Sequence, residues 1–164
     1  MIDVKDKEIY SELPPKSQAC IYKDFLFKDF MKQFMVYFCF EKPAYMQDKE
    51  DIIKYYEWED LSYAEFMIKF LQALEPRFYH QQEYIFEEGE DVAEQIYVIN
   101  RDPTKPDKST GQYCIGFKYD NNSKYFHVKL GPKTVICAYD NMFGKPAEYT
   151  YKALMHIDAY GLRT

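Results

Sequence analysis

Four cysteines among 164 residues, Cys20, Cys39, Cys114 and Cys137, stand too far apart for a CxxC motif. That spacing excludes a short-spaced zinc or redox motif. All four lie in apolar or aromatic surroundings, so buried, reduced thiols are expected, in the cytoplasm or another reducing compartment. Histidine is scarce too. His80, His127 and His156 are far apart in sequence and offer no ligand pair, so no metal or other cofactor is expected. No apolar run reaches the roughly 20 residues of a membrane span. The most hydrophobic stretch, Phe25 to Phe40, is shorter and carries Lys28, Asp29 and Lys32. It reads as a helix buried against protein rather than one lying on a membrane. The opening MIDVKDKEIYSE is charged and has no apolar core, so no signal peptide is expected. No dense cluster of Lys and Arg exists, and 27 acidic against 21 basic side chains leave a net charge of −6. Such a chain repels phosphate backbones, which argues against nucleic acid as a partner. Repeats and low-complexity tracts are missing. So is any nucleophile–base–orienter set, and no catalytic residue is expected.

What the chain has in quantity is aromatic surface. Phe and Tyr dominate, with 13 and 17 residues, and aromatics make up 19% of the sequence. That is ample material for a core, so a folded domain is expected rather than disorder.

The first part reads as helical. Leu13-Pro14-Pro15 suits a helix start, because proline fixes φ and its missing N–H costs nothing in the first turn. From Lys16 onward, apolar residues fall mostly three and four apart through Phe38 and make one apolar face. Pro43 stops the pattern, and 48–56 can form a short helix. The single tryptophan, Trp58, is expected to pack. Ser62-Tyr63-Ala64-Glu65 fits a capping box, with Phe66, Phe70, Leu71 and Leu74 on one face and Pro76 as the stop.

From Arg77 the period changes to two. Strands are expected near 77–80, 83–86, 95–99, 113–119, 124–130, 134–138, 149–154 and 157–162. Asp120-Asn121-Asn122-Ser123 is a hairpin turn, since asparagine tolerates positive φ, and residues 100–110 form a long loop. Helices followed by many short strands predict an α+β fold: N-terminal helices, then an antiparallel, jelly-roll-like β-roll of about eight strands. The expected division is a helical linker at 1–60 and a roll at 61–164.

Three blocks carry a family resemblance. The first is Ile9-Tyr10-Ser11-Glu12-Leu13-Pro14-Pro15 with the aromatic helix after it. The second runs from Phe70 to Ile99: helix, short strands, Glu88-Gly89-Glu90, then Tyr97-Val98-Ile99. The third is Tyr151 to Leu162, YKALMHIDAYGL. In this order they resemble the cyclic-nucleotide-binding domain family in its ion-channel branch, a linker followed by a β-roll.

The resemblance implies a cassette, Phe-Gly-Glu with small residues and then Arg, in which helix-start amides and Arg hold the phosphate and Glu holds the ribose. Counted from Gly131, the Phe-Gly-Glu slot holds Thr134-Val135-Ile136; counted back from Lys152-Ala153, the Arg slot falls at Ala147. These ligand-pocket positions therefore lack the acid and the base, and no nucleotide binding is expected. Phe143-Gly144-Lys145 is read as a turn, and Asn100 stands where the family has a glycine. Family members also have a helical lid after the roll, whereas this sequence stops at Thr164. By size, Tyr139 or Tyr160 could fill the empty pocket, but the sequence does not say whether a side chain does.

The function so implied is a non-catalytic regulatory or structural interaction module, foremost the cytoplasmic gating domain of a cation channel. A free-standing accessory subunit of a larger assembly and a cyclic-nucleotide receptor with an atypical pocket are the alternatives. Protein partners or a homo-oligomer would be engaged through the N-terminal helices, with Phe27, Phe30, Phe34 and Tyr37 as the contact surface.

Overall fold

The computed structural model describes residues 12–38, 58, 60–89, 94–100, 111–120 and 123–163. The expected short helix at 48–56, Pro43, Cys39, the Ile9-Tyr10-Ser11 block, the 101–110 part of the loop and the Asn121-Asn122 turn residues lie outside these. The chain forms two compact units, Met1–Gln72 and Ala73–Thr164.

In the first unit, α1 spans Pro15–Cys20 with proline in its first turn, as the fixed φ dictates. The chain then widens into a π-helical stretch, Ile21–Leu26, before α2, Lys28–Phe38. α3 spans Leu61–Ala73. Its cap is not the expected box. Asp60 Oδ1 accepts from the Ser62 and Tyr63 amides at 2.8 and 3.2 Å, so Asp60 is the N-cap and Ser62 lies inside the first turn. The buried face of α3 is Tyr63, Ala64, Met67, Ile68 and Leu71, and Phe66 is exposed. Trp58 packs edge-on against Tyr63 at 5.9 Å.

Among its described residues the second unit holds eight strands and one short helix. β1 is Glu75–Tyr79, β2 Tyr84–Phe86, β3 Gln95–Ile99, β4 Tyr113–Asp120, β5 Ser123–Leu130, β6 Thr134–Ile136, β7 Thr150–Ala153 and β8 Ile157–Leu162. All pairings are antiparallel, in sheets ordered β1-β8-β3-β6 and β2-β7-β4-β5. Helices followed by eight antiparallel strands in two sheets are the α+β roll expected from the sequence. The core lies between the sheets: Ile85, Phe86, Ile96, Val98, Tyr113, Ile136, Tyr151, Ala153, Ile157 and Ala159, with Ile115 and Leu130 at its margin.

Two local features hold the roll. Glu94, just before β3, accepts Arg77 of β1 on one carboxylate oxygen at 3.0 and 3.2 Å and Arg163, just after β8, on the other. Burial works against the Arg77 charge, but hydrogen bonds and Coulomb attraction from Glu75 and Glu94 outweigh it and raise its pKa. The second feature is a bulge in β5. Ile115 faces Val128 while Gly116 faces Phe126, so His127 is the extra residue. The backbone there comes so close that a Cβ on Gly116 would collide with the Tyr125 carbonyl oxygen and stand 2.8 Å from the Phe126 ring. Gly116→Ala is therefore expected to destabilise the roll by about 2 kcal/mol, a Tm loss of roughly 10 °C for a unit of this size. A circular-dichroism melt reads this directly, and an unshifted Tm would show that the bulge has room.

Candidate functional site

The candidate site is the connection from β6 to β7, where the pocket-equivalent residues were expected. Thr134, Val135 and Ile136 do not form a helix start. They are β6, paired with Val98, Tyr97 and Ile96 of β3. Among the described residues β6 ends its sheet and pairs with β3 alone, so these three are ladder residues rather than the amides of a helix start.

The turn into a helix comes next, at Cys137. This residue is left-handed, φ 54° and ψ 29°, and α4 follows it over Ala138–Met142. Left-handed backbone is costly for a side-chain-bearing residue and is usually left to Gly or Asn. A cysteine there gives the sequence no turn signal, which is why α4 went unpredicted. Phe143-Gly144-Lys145 then ends the helix: Gly144 has φ 61°, and the Gly144 and Lys145 amides donate to the Asn141 and Asp140 carbonyls at 3.1 and 2.8 Å. The expected turn there is thus a helix C-terminus.

The chain next passes Ala147, whose carbonyl accepts the Gly89 amide at 3.0 Å. That bond ties this connection to the Glu88-Gly89 turn of the Phe70–Ile99 block. Glu88 adds two more ties: its amide donates to Thr150 Oγ1 at 3.2 Å, and its Oε2 accepts the Lys118 amide at 2.6 Å. Ala147 itself is 2% exposed and belongs to the apolar core.

The neighbouring polar groups, Asp140, Asn141 and Thr150, are buried, and one of them, Asp140, is an acid. Burial pushes the Cys137 thiol up to about 12, and the negative charge of Asp140 pushes the same way. The Tyr151 hydroxyl is likewise raised, first by burial and then by Cys137. Thiol and phenol are therefore protonated and unreactive at neutral pH. Tyr113 and Thr134 complete the interior. Thr134 Oγ1 donates to the Gly131 carbonyl at 2.8 Å, so its one proton is used and the Tyr113 hydroxyl, 3.0 Å away, donates to it. The tyrosines in the core of the roll, beside Phe86, are Tyr113 and Tyr151, not Tyr139, which is exposed, nor Tyr160, which is half-buried.

The expected contact surface needs a parallel correction. Phe30 and Phe34 are 1% and 0% exposed, and Phe27 is buried too. Phe30 meets Phe34 at 5.0 Å and Phe70 at 6.2 Å, so these rings make the interior of the helical unit. Of the expected contact residues only Tyr37 is open to solvent, joined by Phe25. Cys20 is exposed as well, whereas Cys114 and Cys137 are buried free thiols as expected. His80 and His156, distant in sequence, meet edge to face with ring centroids 5.6 Å apart. Among the described residues no group of three or more His, Cys, Asp or Glu could hold a metal ion. No helix among them is long and apolar enough to cross a membrane.

No family model matches the chain, and no curated protein matches it. Solved structures do. The cAMP-bound PfPKA-R aligns at 23% identity and TM-score 0.47 over 60% of this chain. The catabolite activator protein of Thermus thermophilus aligns at 16% and 0.46, again over 60%. The guanosine-bound regulatory subunit of a cAMP-independent protein kinase A from Trypanosoma cruzi aligns at 12% and 0.48, also over 60%. The chain spans 31%, 42% and 31% of the lengths of these three.

Proposed function

We propose that this chain is a non-catalytic regulatory or structural interaction module, built on a cyclic-nucleotide-binding-like roll that does not take a cyclic nucleotide. One observation carries this reading. Where the family resemblance calls for a phosphate-binding arginine, Ala147 is sealed in the apolar core. The buried acid of α4, Asp140, reinforces it: an entering phosphate would meet like charge instead of a guanidinium. Tyr113 and Tyr151 lie in the interior between the sheets. Lys145 is exposed and its ammonium lies over the Tyr139 and Phe143 rings at 5.2 and 5.8 Å, turned to aromatic faces rather than inward.

Within this reading the resemblance to the channel branch favours a cytoplasmic gating domain of a cation channel, with a free-standing accessory subunit as the runner-up. A run of apolar spans of about 20 residues in the parent reading frame would decide for the channel. Calorimetry with cAMP and cGMP at millimolar ligand is expected to show no binding heat. A micromolar Kd for either would overturn the non-binding half of the proposal and favour an atypical receptor.

A further inference from the structure

We infer that the free edge of β5 is a docking strand for an extended peptide segment in which acidic residues alternate with apolar ones. Among the described residues β5 pairs with β4 alone and ends the sheet order β2-β7-β4-β5. Its outer edge therefore offers main-chain donors and acceptors over an eight-residue strand.

The two faces of that edge differ in chemistry, and the difference sets the pattern of the partner. On the outer face the register lays Lys118 directly opposite Lys124 and Lys129 opposite Cys114, with Lys152 one strand further in. Like charges directly opposite each other destabilise a ladder. Lys124 reaches Glu87 at 2.6 Å, but neither Lys129 nor Lys152 reaches a carboxylate among the described residues. Lys124 and Lys152 also lie over the Tyr84 ring at 4.1 and 5.2 Å, and Lys152 lies over Phe126, the ring that shares this face, at 6.0 Å. A basic face on a chain of net charge −6 is complementary to carboxylates.

The inner face is different. The core stops at Ile115 and Leu130, yet aromatic residues continue past it toward the hairpin tip. His127 stacks on Phe117 at 5.2 Å and meets Tyr125 at 4.5 Å. Tyr125 is 59% exposed and Phe117 38%. A strand added to β5 would point successive side chains at these two faces in turn: acids over the lysines, apolar groups over the ring stack. A second copy of this chain is a poor occupant. Two β5 edges brought together would oppose lysine to lysine. The β4–β5 site is separate from the β6–β7 connection, so the inference stands whether or not the roll takes a nucleotide.

The test uses the full chain and a capped ten-residue peptide alternating Glu and Val, titrated by fluorescence anisotropy at low salt. It is expected to bind at least tenfold tighter than a peptide of the same composition with its Glu and Val in separate blocks. N-methylation of the alternate amides that face β5 is expected to weaken binding at least tenfold. Lys129→Glu with Lys152→Glu is expected to do the same with the melt unchanged. Hydrogen exchange of the β5 amides should slow when peptide is added, a readout that does not depend on the variants folding. Equal binding of the alternating and block peptides, or indifference to N-methylation, overturns the inference. So does binding of phosphatidylserine vesicles without any preference for the alternating peptide, which would make the face a lipid contact. Dimerisation through β5 in the absence of peptide overturns it as well.

Discussion

Ala147→Arg is expected to unfold the roll rather than to rebuild a phosphate site. Residue 147 is 2% exposed and lies among Ile136, Cys137 and Tyr151, so the new guanidinium would enter an apolar core. An unpaired buried charge costs on the order of 3–5 kcal/mol. Asp140 is the buried acid of the same connection, but even a bidentate pair with it would leave three of five guanidinium donors to satisfy in the same core. The expected result is a loss of Tm of roughly 15–25 °C or frank insolubility. The informative control is Ala147→Leu, apolar and larger, which is expected to cost about 1–3 kcal/mol through overpacking alone. A well-folded Ala147→Arg protein that gained cAMP affinity would show instead that the phosphate pocket is intact and lacks only its base. That result would end the proposal that the pocket chemistry has gone.

The second large effect is in the helical unit. Phe34→Ala is expected to cost about 3–5 kcal/mol, because a fully buried ring leaves a cavity that its neighbours only partly fill. Tyr37→Ala, one turn on and 55% exposed, is expected to change stability by less than about 0.5 kcal/mol. Denaturant melts of both variants separate the two roles for the aromatic stretch. If Phe34→Ala left stability untouched and abolished an association, the ring would be a contact surface after all. Periodicity alone could not make this distinction. It shows that a helix has an apolar face and does not show what covers it.

The strands were legible for a simple physical reason. β3 and β8 match the expected 95–99 and 157–162 to the residue, and the other six differ by a residue or two at their ends. Alternation of side chains is a property of each strand by itself, so it can be read locally. Three features were not local in that sense. A serine three residues before Glu65 is a familiar capping signal, but it is the Asp60 side chain that accepts the free amides of α3. α4 was missed because its five residues are too few for a period, and because Cys137 adopts a left-handed turn that only its surroundings enforce. The two counts to the pocket-equivalent positions, back from Lys152-Ala153 to Ala147 and forward from Gly131 to Thr134–Ile136, land on a buried core residue and on a strand, because nothing in the sequence fixes where β6 ends.

The pairing of β1 with β8 has a mechanical meaning. Glu75, at the start of β1, faces Gly161, next to last in β8, so the chain enters and leaves the roll at the same place. A pull on the two ends would not shear this pair, with all its bonds loaded together. It would peel the strands apart from that end, one rung after another. The Glu94 bridge to Arg77 and Arg163 stands at the point where peeling begins and acts as the latch. Tension between the helical unit and the C-terminal end would thus be felt first by this zipper, while the β2-β7-β4-β5 sheet, with the β5 edge, stays unloaded.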